Sequence, residues 1–451
     1  MPAGPFLMAA EARLFGTDGV RGVYGEDLTD ELAYALGRAA ASILTASERR
    51  IVIGRDTRAS GPALERALAA GITAAGAIPV SAGVIPTAAV AFLVRDAGAA
   101  AGAVISASHN PARDNGIKFF GPDGVKLSDE VEAAIEEAMT GAPEAAGDDG
   151  VEDMATLEDA DDRYLRFLLR GQPSLEGLRI VVDCANGAAS MIAPEVYRAA
   201  GADVTVLFAD PDGTNINDGC GSTHMEVLRR AVATSGAHAG IAHDGDADRV
   251  LAVDSKGAIV DGDQILGICA LDAKMLGELR GDAIATTVMA NLGFRHAMAD
   301  AGIGIVETAV GDRNVLEAMR KNGLILGGEQ SGHVVFLDMH TTGDGILTAL
   351  RLLAAVVVSG RSLGELAADV PRFPQVLRNV AVADRGALDG AERVWDVVRE
   401  VEDELGADGR VLVRASGTEP VVRVMVEAAT DERAATAADR ISEAVSVVLG
   451  E

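Results

Sequence analysis

The chain has 451 residues, 49% hydrophobic and 24% charged, the balance of a globular protein with several packed cores, and at about 150 residues per domain it holds about three domains, with two or four also compatible. Its net charge of −29, from 39 basic and 68 acidic residues, excludes a general nucleic-acid binder and a partner for an acidic membrane surface. Cys184, Cys220 and Cys269 are odd in number and show no C-x-x-C spacing, which indicates neither a disulfide framework nor a zinc site and fits a reducing compartment.

In chain order, the opening residues MPAGPFLMAAEARLFG lack a basic region followed by a sustained apolar stretch, so no signal peptide is expected. Phe15-Gly16-Thr17-Asp18-Gly19-Val20-Arg21-Gly22 reads as a Gly-rich loop with one arginine. Residues 51–54 (IVIG) predict a buried strand, 61–76 a helix, and 103–105 a second strand. The alternation recurs at 179–183, 189–200, 204–208 and 225–234, and again at 284–288, 293–301, 303–306 and 312–321. Such a pattern implies α/β layers around mostly parallel sheets. Boundaries are expected at 141–162, near 257–262 and at 371–374 (PRFP), giving domains 1–160, 161–258, 259–372 and 373–451. The last reads as a small α+β domain: a strand at 376–382, a helix at 388–405, a hairpin over 410–428, and a closing helix whose apolar face carries Ala434, Ala437, Ile441, Ala444 and Val448.

Four further segments carry chemistry. Ser106-Ala107-Ser108-His109-Asn110-Pro111 follows a strand, where α/β sheets bind ligands, and Asn-Pro makes a turn that can present Ser108. Its flanks are not those of a G-x-S-x-G hydrolase elbow, and Lys118 lies near enough in sequence to share its pocket. Asp244-Gly245-Asp246-Ala247-Asp248-Arg249 brings three carboxylates at i, i+2 and i+4, a donor set for one hard cation. An EF-hand loop would need Gly and Glu where Arg249 and Ser255 stand, so the site is expected to remain open to a phosphate oxygen. Gly327-Gly328-Glu329-Gln330-Ser331-Gly332-His333 offers hydrogen-bonding groups suited to sugar hydroxyls, on what is also a plausible tight hairpin. Arg414-Ala415-Ser416-Gly417-Thr418-Glu419-Pro420, with Arg423 beyond, combines a Gly turn, hydroxyls and two guanidinium groups into an anion nest. Neither a Walker A sequence nor G-x-G-x-x-G occurs.

In kind and in order, these five segments resemble the α-D-phosphohexomutase superfamily, over Phe15 to Arg423. The resemblance implies three related α/β domains plus a smaller C-terminal α+β domain around a central active-site cleft. It implies a phosphoserine at Ser108, Mg²⁺ on Asp244, Asp246 and Asp248 with the phosphoserine as a further ligand, and a sugar 1,6-bisphosphate as activator and intermediate. Arg21, His109, Lys118 and Arg249 would lie near the transferring phosphate. Glu329, Ser331 and His333 would contact the sugar, and Arg414, Ser416, Gly417, Thr418 and Arg423 would hold the non-reacting phosphate. FGTDGVRG, the doubled serine of SASHNP, and GEQSGH are most similar to the branch that interconverts glucosamine 6-phosphate and glucosamine 1-phosphate for amino-sugar nucleotide and cell-wall precursors. Relatives acting on mannose or glucose phosphates tend to carry Met where Gln330 stands. Ala247 occupies a position where Gly is frequent, which would cost stability if that residue needs a positive φ. The implied protein is cytoplasmic, a monomer or homodimer, with a small phosphosugar as partner. The runner-up reading is a phosphomannomutase/phosphoglucomutase of the same superfamily, and a catalytically dead protein regulated through Ser108, or a phosphatase releasing phosphate to water, are the further competing readings.

Overall fold

The structure is a computed structural model, and it describes residues 13–16, 18–140, 154–416 and 420–450. The N-terminal residues read for a signal peptide, Thr17, the first part of the 141–162 boundary, and Gly417, Thr418 and Glu419 lie outside these. The chain divides into two compact units, one of residues 1–289 and 303–368, the other of 290–302 and 369–451.

The first unit holds three sheets built on one plan. Sheet one contains β1 (Val20–Val23), β2 (Arg50–Arg55), β3 (Ile78–Val84), β4 (Ala101–Ile105), β5 (Asp114–Phe120) and β6 (Ala155–Thr156), in the order β1-β5-β4-β2-β3-β6. Sheet two contains β7 (Arg179–Asp183), β8 (Asp203–Leu207), β9 (Ala239–His243), β10 (Val250–Asp254) and β11 (Ile259–Val260), in the order β11-β10-β9-β7-β8. Sheet three contains β12 (Ala283–Thr287), β13 (Gly304–Thr308), β14 (Leu326–Gly328) and β15 (Val334–Phe336), in the order β13-β12-β14-β15.

In each, three parallel strands stand in the order second-first-third, and a fourth turns back antiparallel on the third: β4 with β5, β9 with β10, β14 with β15. The expectation of mostly parallel sheets holds for the core of each sheet, and antiparallel strands extend each core. That extension matters for function, because the third-to-fourth hairpin is the equivalent loop of all three sheets. It carries Ser108 in sheet one, the three aspartates in sheet two and Glu329 in sheet three. Every residue of β4 and of β9 is buried, as expected for strands covered on both faces.

The second unit is an antiparallel sheet of β16 (Gln375–Ala381), β17 (Gly409–Ala415) and β18 (Val421–Ala428), in the order β16-β18-β17, with helices Glu392–Leu405 and Asp431–Leu449. It also includes the segment 290–302, whose helix Leu292–Asp300 is held by Glu427: this buried carboxylate accepts from Asn291 Nδ2 at 3.1 Å and from Leu292 N at 3.0 Å. Two expectations shift here. The helix expected from 388 begins at Glu392, after a 3₁₀ turn over Arg385–Gly390. The buried face of the last helix runs Ala434, Ala437, Ala438, Ile441, Val445 and Leu449: the expected Ala434, Ala437 and Ile441 lie on it, while Val445 and Leu449 stand one position beyond the expected Ala444 and Val448, which are only half-buried.

Candidate active site

Ser108 stands on the β4–β5 loop, buried, with φ of 50°. Its Oγ donates to Asp244 Oδ2 at 2.6 Å and lies 3.4 Å from His109 Nδ1. A left-handed serine is uncommon and has to be held there by its surroundings. Arg58, fully buried in the loop after β2, does much of this. Its Nε pairs with Asp56 Oδ2 at 2.9 Å, and its two terminal nitrogens donate to the carbonyls of Ser108, Asn110, Pro111 and Asp114. Asn217 adds bonds from Nδ2 to the Ser108 and Asn110 carbonyls at 2.9 and 3.0 Å. Ser106 anchors the loop from inside, donating to Asp56 Oδ2 at 2.6 Å and accepting from Ser108 N at 2.9 Å.

The aspartate loop closes a hairpin in which His243 faces Val250. Gly245 is required there: a Cβ would stand 2.5 Å from the Ser108 carbonyl oxygen. Ala247 has φ of 57°, so the strain expected of a non-glycine residue at this position is present. All three carboxylates are buried, with ligand oxygens within 4.8 Å of one another, and among the described residues they form the one cluster of this kind. Burial, then repulsion from Asp248 and Asp246, pushes the Asp244 carboxyl well above its usual range. Asp248 goes the other way: burial is outweighed by Lys118, His333 and Arg249, which hold it below its usual value.

Lys118 is the cation at the centre. It projects from β5, with Nζ 2.9 Å from Asp246 Oδ2, 3.6 Å from Asp248 and 3.9 Å from Asp18. Burial alone would lower its pKa, but Asp18, Asp246 and Asp248 together raise it, so it is charged at neutral pH. Thr87 Oγ1 donates to the same Asp246 oxygen at 2.5 Å. Arg21, on β1 opposite Gly116, pairs with Asp18, whose other oxygen takes Lys126 Nζ at 2.7 Å. Arg249 N donates to Asp244 Oδ1 at 3.2 Å, and its Nε is 3.9 Å from Asp248. His109 is lowered by burial and then by Arg249 and Arg21, which favours its neutral form.

The 329–333 loop is a tight hairpin as well as a candidate site. Glu329 N donates to the His333 carbonyl at 3.0 Å, and Glu329 Oε1 accepts from Gly311 N at 3.1 Å. The loop docks on the aspartate hairpin through Val250 N to the Gly332 carbonyl at 3.1 Å. Ser331 is exposed, whereas His333 is buried with Nδ1 3.7 Å from Asp248. Burial would lower His333, but Asp248 above all raises it to about 9, so it serves the carboxylate cluster as a cation.

Ser108, His109, Lys118, Arg21, Arg249, the three aspartates, Glu329 and His333 are thus brought together within the first unit. Arg414, Ser416 and Arg423 belong to the second, where Arg414 and Arg423 face each other across β17 and β18. Ser416 is buried, and its carbonyl accepts from Arg385 Nη1 at 2.8 Å. Like charges directly opposite on a sheet destabilise it unless an anion lies between them. Arg58, Asp56, Asn217, Thr87, Asp18 and Lys126 were not singled out from the sequence. For Arg58 and Asp56 the available signal was their position at the carboxyl end of β2.

A fold of three equivalent hairpin loops, joining a buried serine to a carboxylate trio beside a buried lysine, defines an enzyme of phosphate-group chemistry. Family models match nearly the whole chain: Phosphoglucomutase/phosphomannomutase, alpha/beta/alpha domain I over residues 12–146, domain II over 162–257, domain III over 261–373, and the C-terminal domain over 377–444. The chain belongs to the phosphoglucomutase/phosphomannomutase family of phosphosugar mutases. It is 55% identical to a phosphoglucosamine mutase of Frankia casuarinae, covering 97% of this chain and 99% of the relative. It is 54% identical to one from Carboxydothermus hydrogenoformans, covering 92% and 95%. A crystal structure of a phosphoglucomutase/phosphomannomutase family protein from Burkholderia thailandensis, 26% identical, superposes with a TM-score of 0.82 over 97% of both chains. Among the described residues no helix is long and apolar enough to cross a membrane.

Proposed function

We propose that this chain interconverts glucosamine 6-phosphate and glucosamine 1-phosphate, with Ser108 as the phosphate carrier. The observation that carries the reading is the 2.6 Å bond from Ser108 Oγ to Asp244, beside the Asp246 pair with Lys118. The names of the relatives at 51–55% identity support the choice of sugar.

The carboxylate trio fits Mg²⁺. Its donors are hard oxygens, and Asp246 Oδ1 and Asp248 Oδ1 are buried with no hydrogen-bond partner. Asp244, Asp246 and Asp248 would hold the ion, which when bound supplies positive charge to the transferring phosphate. The chain's own residues do the rest. Lys118, Arg21 and Arg249 neutralise the phosphate oxygens, since phosphoryl transfer depends on charge and in-line positioning. The phosphate on Ser108 passes to the C1 hydroxyl oxygen of glucosamine 6-phosphate, breaking the Ser108 Oγ–phosphorus bond and leaving the serine hydroxyl. The bisphosphate turns over, and its 6-phosphate returns to Ser108, releasing the 1-phosphate. Glu329 and Ser331 contact the sugar hydroxyls. Arg414, Ser416, Gly417, Thr418 and Arg423 hold whichever phosphate is not reacting. The reading places the enzyme in the cytoplasm, as a monomer or homodimer, supplying amino-sugar nucleotide and cell-wall precursor synthesis.

The test is a ³¹P NMR time course with Mg²⁺ and a trace of sugar bisphosphate, offering glucosamine, mannose and glucose 6-phosphates in separate tubes. Fastest growth of glucosamine 1-phosphate is expected. Preference for mannose or glucose would overturn the substrate, and inorganic phosphate as the main product would make the chain a phosphatase.

A further inference from the structure

The buried polar groups around Ser108 include two that no step of the reaction uses, Arg58 and Asn217. Arg58 is 0% exposed and 6% is the figure for Asn217, so neither is placed to meet a substrate. Both converge on one atom. The Ser108 carbonyl oxygen accepts from Arg58 Nη2 at 3.0 Å and from Asn217 Nδ2 at 2.9 Å. Both also hold the Asn110 carbonyl, at 2.9 and 3.0 Å. Asn217 does so while its own Oδ1 is buried with no partner, so the two carbonyls alone orient its amide. A buried polar atom left unpaired is costly, and its retention needs a reason.

The reason lies in the backbone between those carbonyls. Ser108 sits at φ of 50°, a conformation a serine leaves readily when nothing holds it. Relaxing φ would swing Oγ away from Asp244. We infer that Arg58 and Asn217 are positioning residues that lock the Ser108 peptide in its left-handed form and so set the line of phosphoryl transfer. Arg58 acts from the loop after β2, in the serine loop's own sheet region, and Asn217 from the segment that follows β8 of sheet two, so the clamp fixes the serine loop against the aspartate loop. Gly245 of that loop lies against the same carbonyl, where a Cβ would come within 2.5 Å of the oxygen and 2.9 Å of Asn217 Nδ2.

The inference rests on Ser108 being the phosphate carrier, and the test separates the two. Asn217→Ala, Arg58→Lys and Ser108→Ala are compared with the parent enzyme for kcat and KM toward glucosamine 6-phosphate at saturating bisphosphate. Thermal unfolding and intact mass are recorded on the same samples. A displacement of about 1 Å costs about 100-fold in rate, so kcat should fall about 100-fold in Asn217→Ala and Arg58→Lys, with KM within about threefold of the parent. Arg58→Lys keeps the charge but not the fan of donors, so it should not rescue. Parental kcat in folded Asn217→Ala, or activity loss that only tracks loss of folded protein, would overturn the clamp. Asn217→Ala decides alone if Arg58→Lys does not fold. Parental turnover in Ser108→Ala would instead overturn the phosphoserine, and the clamp with it.

Discussion

Ser108 and Asp244 are 136 positions apart in sequence, yet the serine hydroxyl donates to the aspartate carboxylate at 2.6 Å, across two sheets. The bond joins equivalent hairpin loops, so the repeated sheet plan itself brings the serine hydroxyl to the carboxylate trio. Asp244 is buried there beside two like-charged neighbours, and burial first, then repulsion from Asp248 and Asp246, pushes its carboxyl well above the usual range.

A bound divalent cation should relieve that repulsion. Mg²⁺ at about 100 times its Kd should stabilise the protein by about 2.7 kcal/mol relative to EDTA, read as a rise in thermal midpoint. Asp244→Asn removes the carboxyl whose ionisation its two neighbours oppose, keeps an oxygen to accept from Arg249 N, and offers an amide that can donate to Ser108 Oγ where the carboxylate accepted from it. It should match or exceed the parent's midpoint in EDTA, lose the Mg²⁺ response, and lose at least about 100-fold in kcat. A lower midpoint in EDTA would mean the trio is not mutually repulsive.

Lys118 offsets the same charges from the other side. Removing one partner of a buried ion pair costs about 3–5 kcal/mol, because the remaining charge is left uncompensated. Lys118→Met should therefore be destabilised by about that much in EDTA. Mg²⁺ should restore part of the stability but not turnover. Equal loss with and without the ion would show that Lys118 and the metal do not share the Asp246–Asp248 charge.

Ala247 tests the reading of backbone strain. The left-handed conformation costs a non-glycine residue about 1–2 kcal/mol. Against that, glycine loses about 0.5–1 kcal/mol in chain entropy, and removing the buried methyl costs about 0.8 kcal/mol. These nearly cancel, so Ala247→Gly should unfold within about 3 °C of the parent. A fall of about 10 °C would mean that the methyl does packing work its burial does not reveal.

His340 is buried, and burial lowers its pKa from 6.5 to about 4, so it is neutral in the folded protein. The unfolded chain takes up that proton below about 6.5, hence stability is lost as pH falls from 6.5 toward 4, by about 3 kcal/mol when complete. His340→Gln should flatten the acid side of a plot of thermal midpoint against pH between 6.5 and 4.5. An unchanged slope would assign the acid loss to other groups.

The strands with β-branched runs, IVIG and RIVVD, were legible because burial on both faces selects such residues, and they lie where the sequence placed them. β1 was not: Val20–Val23 contains Arg21 and Gly22, and it is a strand only because it pairs with β5. The aspartate trio could be read as chemistry because self-repelling carboxylates at that spacing have few other uses, whereas the serine loop alone also reads as a plain Ser/Asn turn and gained its chemical reading from its order with the other four segments. Arg58 could not, since an arginine after a strand reads as a solvated side chain until four carbonyls converge on it. The positive φ of Ser108 likewise comes from tertiary hydrogen bonds and leaves no local mark.

The central claim is that phosphate travels through Ser108. The direct measurement loads the enzyme with ³²P-labelled sugar bisphosphate, confirms the label on Ser108 by peptide mapping, and then adds unlabelled glucosamine 6-phosphate for a single turnover. The account predicts that label leaves Ser108 and appears in the sugar bisphosphate and 1-phosphate, with little inorganic phosphate. Label that stays on Ser108 while unlabelled 1-phosphate accumulates would contradict it.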